Sequence, residues 1–257
     1  QNIENSGQRK ELSLEEYKRI SKNFENLIYL SIGGGEPFLR TDLADIVHEF
    51  YENSGVRFVT VTTNSLQPSQ TKDTVLQILE QNPDIYLTVC LSLDGIDSLH
   101  DYIRGVKGNY EKVIINYRFL SELRKQWKNL SLNVSTIFNK YNQEHIFDII
   151  SYVKKNFDVN HNLGLVRGTA RDLSSKDVLL ERYFQALESL MDSNRMNANY
   201  FGIFRYIVRA MYKISRSNIE KRREMFPCVA GRKMITIDDE GNVKPCEMLE
   251  QIYPHER

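Results

Sequence analysis

Long apolar runs are missing from the 257 residues: none approaches the about 20 needed to cross a bilayer. The opening stretch QNIENSGQRKELS is polar and lacks the apolar core of a secretory signal. Net charge is missing as well. With 34 basic against 34 acidic side chains, no global field draws the chain to nucleic acid or to an anionic membrane. Cysteine is scarce: Cys90, Cys228 and Cys246 cannot make an even disulfide framework, so a reducing cytoplasm is the expected compartment. Repeats, low-complexity tracts and Pro/Gly-rich linkers are absent. So is an initiator Met, and the loop-like start predicts that the natural protein continues upstream.

What is present suits a globular α/β protein, with 41% hydrophobic residues and length for one large domain or two smaller ones. Apolar runs rich in β-branched and aromatic residues occur at 27–32, 57–62, 85–93, 130–138 and 162–166. Each is short and nearly continuous, which predicts strands buried on both faces. Amphipathic stretches lie between them at 42–53, 69–81, 110–128 and 143–154. An earlier helix opens at Ser13, where Glu16 three residues on completes a capping box. Strands alternating with helices predict a parallel sheet. Past Gly168 the texture changes to two long helices, 175–194 and 200–224. A segment then follows in which DDEG turns between ITI and NV as a hairpin. The expected division is a β/α domain over 1–170 and an appendage over 171–257.

Several strand ends carry polar chemistry. The first run ends in GGGEPFLR, where Gly34 and Gly35 free backbone N–H groups for a ligand, Glu36 adds an anion and Pro37 stiffens the exit. The second ends at Asn64, which also suits a strand end for local reasons. The third reads LSLDG, and period-two spacing turns Ser92 and Asp94 to one face, with Cys90 deeper on that face. Asp94-Gly95 is also a turn signal. Arg104 follows in DYIRG, a fork that fits a carboxylate or a surface side chain before Gly105, while His100 and Asp101 read as solvated neighbours. Ser135 and Thr136 stand near the end of the fourth run, and Leu165 near that of the fifth.

The GGEP, Asn64, SLDG and IRG segments together resemble the radical S-adenosylmethionine superfamily over 27–168. The fold implied is a partial (β/α)6 TIM-like barrel whose first strand and cluster loop lie upstream. The resemblance implies that Gly34, Gly35, Glu36 and Pro37 hold the methionyl amino group of S-adenosylmethionine. It puts Arg104 at the carboxylate, and Asn64, Ser92 and Asp94 near the ligand. Ser135 would then meet ribose and Leu165 adenine. The family often has Thr-Asn-Gly where this chain has Thr63, Asn64 and Ser65. Cys228 and Cys246, with Gly241 five positions before the second, resemble the opening of a SPASM or twitch extension, whose cysteines bind an auxiliary [4Fe–4S] cluster. Two thiolates do not complete such a cluster or a zinc site, and unligated thiols are the alternative.

The family's CxxxCxxC loop, which binds the primary [4Fe–4S] cluster, is not in the sequence. The implied activity is reductive cleavage of S-adenosylmethionine and hydrogen abstraction from a peptide, protein or small-molecule substrate. A reductant such as flavodoxin or ferredoxin would supply the electron. The alternative is a non-catalytic relative that binds S-adenosylmethionine or metal. A metal-independent barrel enzyme acting on a phosphorylated sugar is disfavoured, because no phosphate cradle stands late in the barrel.

Overall fold

A computed structural model describes residues 11–168, 172–193, 210, 213–214, 216–217, 220–221 and 227–246. The described residues form two compact units. One comprises 14–165 and 177–193; the other holds 11–13, 166–168, 172–176 and the segment 227–246.

The first unit opens with helix α1 (Leu14–Ser21) and then alternates strand and helix: β1 (Tyr29–Ile32), α2 (Leu43–Ser54), β2 (Phe58–Thr63), α3 (Pro68–Gln81) and β3 (Tyr86–Ser92). It continues through α4 (Ser98–Arg104), α5 (Asn109–Gln126), β4 (Leu130–Phe138), α6 (Ile146–Asn156), β5 (Asn160–Leu165) and α7 (Leu180–Ser193). All strand pairs are parallel, and the sheet order is β1-β2-β3-β4-β5. A doubly wound sheet reverses its order at a switch point and carries helices on both faces. Here the order never reverses and the core lies on one face. That is the build of a barrel wall.

The register shows how the two faces differ. Leu30, Val59, Leu87 and Leu130 form one cross-strand row, and Ile32, Val61, Val89 and Leu132 the next. These residues pack with Val47, Phe50, Val75, Ile78, Val113 and Leu120 of the helices in a single core. The opposite face carries Ser31, Thr60, Thr88 and Ser131 in one row and Thr62, Cys90, Asn133 and Asn160 in another. At its base Tyr29, Phe58 and Tyr86 are half exposed. The expectation of strands buried on both faces is therefore corrected. Threonine is β-branched and lengthens an apolar-looking run, but its hydroxyl belongs on the wet side.

The helix expected over 175–194 begins five residues later. Leu173–Lys176 form a 3-10 turn, and α7 then packs on the sheet unit through Phe138 and Tyr183, whose rings lie 5.4 Å apart. The helix expected over 200–224 lies largely outside the described residues. In the second unit the expected hairpin is present, as β6 (Thr236–Ile237) pairs antiparallel with β7 (Val243–Lys244). Asp238 closes it, accepting from the backbone N–H groups of Glu240 and Asn242. The sole tryptophan, Trp127, ends α5 by donating its N–H to Leu123 and packs half-buried against the core.

Candidate functional site

The C-terminal ends of parallel strands converge, and the turns that follow β1, β2 and β3 meet there. After β1, Gly33, Gly34 and Gly35 are exposed, and Gly34 has φ +113°, a conformation that glycine alone adopts without strain. Glu36 turns inward and is 8% exposed. Its carboxylate accepts from Thr63 Oγ1 at 2.9 Å, from the N–H of Asn64 at 2.7 Å and from the N–H of Phe38 at 3.2 Å. Burial raises its pKa, and these bonds only partly offset that. Both oxygens are consumed inside the protein. What the turn offers outward is glycine backbone.

Asn64 ties this turn to the next. Its Nδ2 donates to Gly35 O at 3.2 Å, and its Oδ1 accepts from Leu66 N. Ser65 behind it is fully buried at φ +63°, the left-handed region that suits a glycine.

Asp94, 4% exposed, sits just past β3 and joins three elements. Its Oδ1 accepts from Ile137 N of β4 at 2.8 Å, and its Oδ2 lies 2.7 Å from Arg104 Nε of α4. Its carbonyl accepts from Asn142 Nδ2. Arg104 ends α4 before Gly105 and keeps a quarter of its side chain exposed, and its guanidinium meets Asp94 through Nε. Ser92 and Ser135 are cross-strand partners on the polar face. Cys90 shares that face and bonds Ser135; burial pushes its thiol up to about 11, so it is a neutral thiol.

The structure thus brings Glu36, Asn64, Asp94 and Arg104 into one mouth, with Ser92 and Ser135 on the sheet face below. Leu165 stands apart from them. It pairs with Phe138, whose side is the helix-packed one, so Gly164 takes the polar face at this level. His100 is not a solvated neighbour, which corrects that expectation, while Asp101 is half-exposed. His100 is fully buried, and Asp101 accepts from Gly108 N and Tyr110 N at the start of α5. Burial alone would raise the Asp101 pKa, but these N–H groups hold it below the usual carboxylate range.

Four residues that reading the sequence alone missed complete the mouth: Thr63, His100, Asn109 and Asn142. One signal was available. His100 and Arg104 are four apart, which puts them on one face of α4, the face turned to Asp94.

In the second unit Cys228 is exposed and its Sγ accepts from Ala230 N at 3.5 Å; Cys246 is half-buried. The loop after Cys228 comes close to the residue before Cys246, since a Cβ on Gly231 would lie 3.4 Å from Pro245 Cβ. Among the described residues no three His, Cys, Asp or Glu side chains are grouped to hold a metal. The described residues therefore do not by themselves make an iron–sulfur site.

A family model described as Radical SAM superfamily matches residues 1–153. The chain is 31% identical over 151 residues to the GTP 3',8-cyclase of Limosilactobacillus fermentum, covering 58% of this chain and 42% of that protein. It is 29% identical over the same length to the GTP 3',8-cyclase of Lactiplantibacillus plantarum, with the same shares covered. The chain thus spans less than half the length of these curated relatives. Among solved structures it resembles native anSMEcpe with bound AdoMet and Kp18Cys peptide, at a TM-score of 0.54 and 18% identity. That match covers 93% of this chain and 66% of the other. At that identity the likeness is one of fold.

Proposed function

The chain belongs to the radical SAM superfamily, and from that premise we propose that its mouth binds S-adenosylmethionine for reductive cleavage at a [4Fe–4S] cluster in the whole protein. One observation supports this reading: the exposed glycine turn, Arg104 held on Asp94, and the paired Ser92 and Ser135 all stand at or just past the C-terminal ends of strands of one parallel sheet.

The residues divide the work. Backbone of Gly33, Gly34 and Gly35 meets the methionyl amino group, while Glu36 and Pro37 shape the turn from behind. Arg104 takes the methionyl carboxylate, steered by Asp94. Ser92 and Ser135 supply hydroxyls for ribose, and the backbone near Leu165 lies toward adenine. A bound [4Fe–4S] cluster would supply the one-electron reduction that cleaves S-adenosylmethionine, while the glycine turn, Arg104, Ser92 and Ser135 would hold and orient the ligand for it. Cys228 and Cys246 are two ligands of an auxiliary cluster in a SPASM-like extension, completed by residues beyond those described.

A peptide or protein is the substrate this reading favours. Among the described residues the polar face of the sheet carries hydroxyls and amides and no charged side chain. That lining suits the neutral amide groups of a peptide better than the triphosphate of GTP, which calls for cations.

Arg104→Ala in the full-length protein tests the ligand assignment. A lost charge-assisted hydrogen bond is worth about 1.5–3 kcal/mol, so calorimetry should show S-adenosylmethionine binding weakened by roughly 10- to 150-fold. Unchanged affinity would return Arg104 to an ordinary surface role. Anaerobic reduction should yield 5′-deoxyadenosine; a protein that binds the ligand yet never forms it is a non-catalytic relative.

A further inference from the structure

We propose that His100 and Asn109 are positioning residues of the mouth: a neutral His100 joins the turns after β2 and β3 into one hydrogen-bonded chain that fixes where S-adenosylmethionine is met. The proposal rests on the ligand reading above and adds to it two residues that do not touch the ligand.

The chain of bonds can be followed atom by atom. The backbone N–H of Asp94 can only donate, and its partner is His100 Nδ1 at 3.0 Å. Nδ1 therefore carries the lone pair and the ring proton sits on Nε2. Nε2 lies 3.1 Å from Asn109 Oδ1, and Asn109 Nδ2 donates to Asn64 O at 2.8 Å. The donor-to-acceptor sense runs one way from Asp94 through His100 and Asn109 to Asn64. Beyond Asn64 the chain continues to Gly35 O and Glu36 Oε2. Beyond Asp94 it reaches Arg104 and Ile137.

Water has little access to this path, since His100, Asn109, Asp94 and Glu36 are all buried. Each link satisfies a polar group of a largely buried path, so loss of one is felt by its neighbours. Burial, helped by the Arg104 guanidinium, pulls the His100 pKa below its usual value; Asp94, Asn109 and Asp101 pull the other way without reversing it. Protonation would set a second N–H against that of Asp94. The start of α4 is seated directly on the turn. A Cβ at Gly95 would come 2.7 Å from His100 N, too close for any residue but glycine.

Asn109→Asp in the full-length protein makes the decisive test. Aspartate has the same shape and still accepts from His100 Nε2–H, but it turns an oxygen toward Asn64 O where a donor stood. Calorimetry well below the melting temperature should show S-adenosylmethionine binding weakened about tenfold, the worth of one hydrogen bond with its orphaned acceptor. Asn116→Ala is the control. Asn116 is fully buried on the same helix with no hydrogen-bond partner, so this change perturbs the core and should leave affinity within twofold of wild type. Nitrogen-15 spectra should report His100 protonated on Nε2 and bare on Nδ1 at pH 7. Wild-type affinity in Asn109→Asp, an equal loss in Asn116→Ala, or a proton on Nδ1 would each overturn the proposal. If the wild-type protein binds no S-adenosylmethionine, the ligand reading itself fails, and the wild-type titration identifies that case.

Discussion

A buried carboxylate is stable only while its lone pairs are met, and Glu36 meets them through Thr63, Asn64 and Phe38. Thr63→Val keeps the shape and removes the hydroxyl, which also orphans the Ser65 N–H that it accepts. We expect a loss of about 2 kcal/mol in urea unfolding at pH 7. The loss should shrink near pH 4, because the folded pKa of Glu36 already lies above its unfolded value and a protonated carboxyl asks less of its donors. A deficit equal at both pH values would show that packing, not the carboxylate, is at stake. Ser65→Gly should act in the opposite direction. It relieves a left-handed backbone and removes a buried hydroxyl with no partner, for a gain of about 1 kcal/mol.

At the scale of elements, strand positions were legible because each is a compact apolar run closed by polar or glycine residues, as at 130–138, where β4 matches to the residue. Most helices were legible to within a few residues for the same reason of period, but α4 (Ser98–Arg104), too short to show a period, was not. Which strand face met water was not, because Thr60, Thr62 and Thr88 look like core by shape. The start of α7 was missed because Leu173–Lys176 carry helix-compatible residues that make a single 3-10 turn instead. In the site, Gly34, Glu36 and Asn64 could be picked out since strand-end glycines and anions announce themselves. The inward aim of Glu36 and the burial of His100 depend on partners 27 and 9 residues away and leave no local trace. Gly95 shows what such packing demands. Gly95→Ala must push the start of α4 off the turn, and calorimetric melting should record a loss of about 1–3 kcal/mol. An unchanged melting temperature would mean that α4 slides freely.

For the whole molecule, acid is the weak side. His161 is buried with Nε2 on Thr136 Oγ1, and burial pulls its pKa down to about 4. In the unfolded chain it takes up a proton near pH 6.5, so stability present above that value is lost as pH falls towards 4, by roughly 3 kcal/mol. His100 adds in the same direction. Unfolding midpoints should therefore fall across that window, and His161→Gln should flatten the slope; a flat wild-type profile would contradict it. If Cys228 and Cys246 hold an auxiliary cluster, full-length protein should carry about eight irons, falling towards four when both become Ala. An iron content that does not change would make them structural thiols.

Trp127 turns the arrangement of the first unit into an optical instrument. It stands between the end of α5 and the entry of β4, and so at the end of the sheet opposite the mouth. Being the chain's sole indole, it makes intrinsic fluorescence a single-site report on the helix-to-sheet seam. Emission should shift to the red when that seam opens and stay nearly constant while the mouth fills with ligand. Unfolding curves recorded with and without S-adenosylmethionine can then be read on one signal, and the stabilisation between them at a known ligand concentration reports the affinity of the mouth.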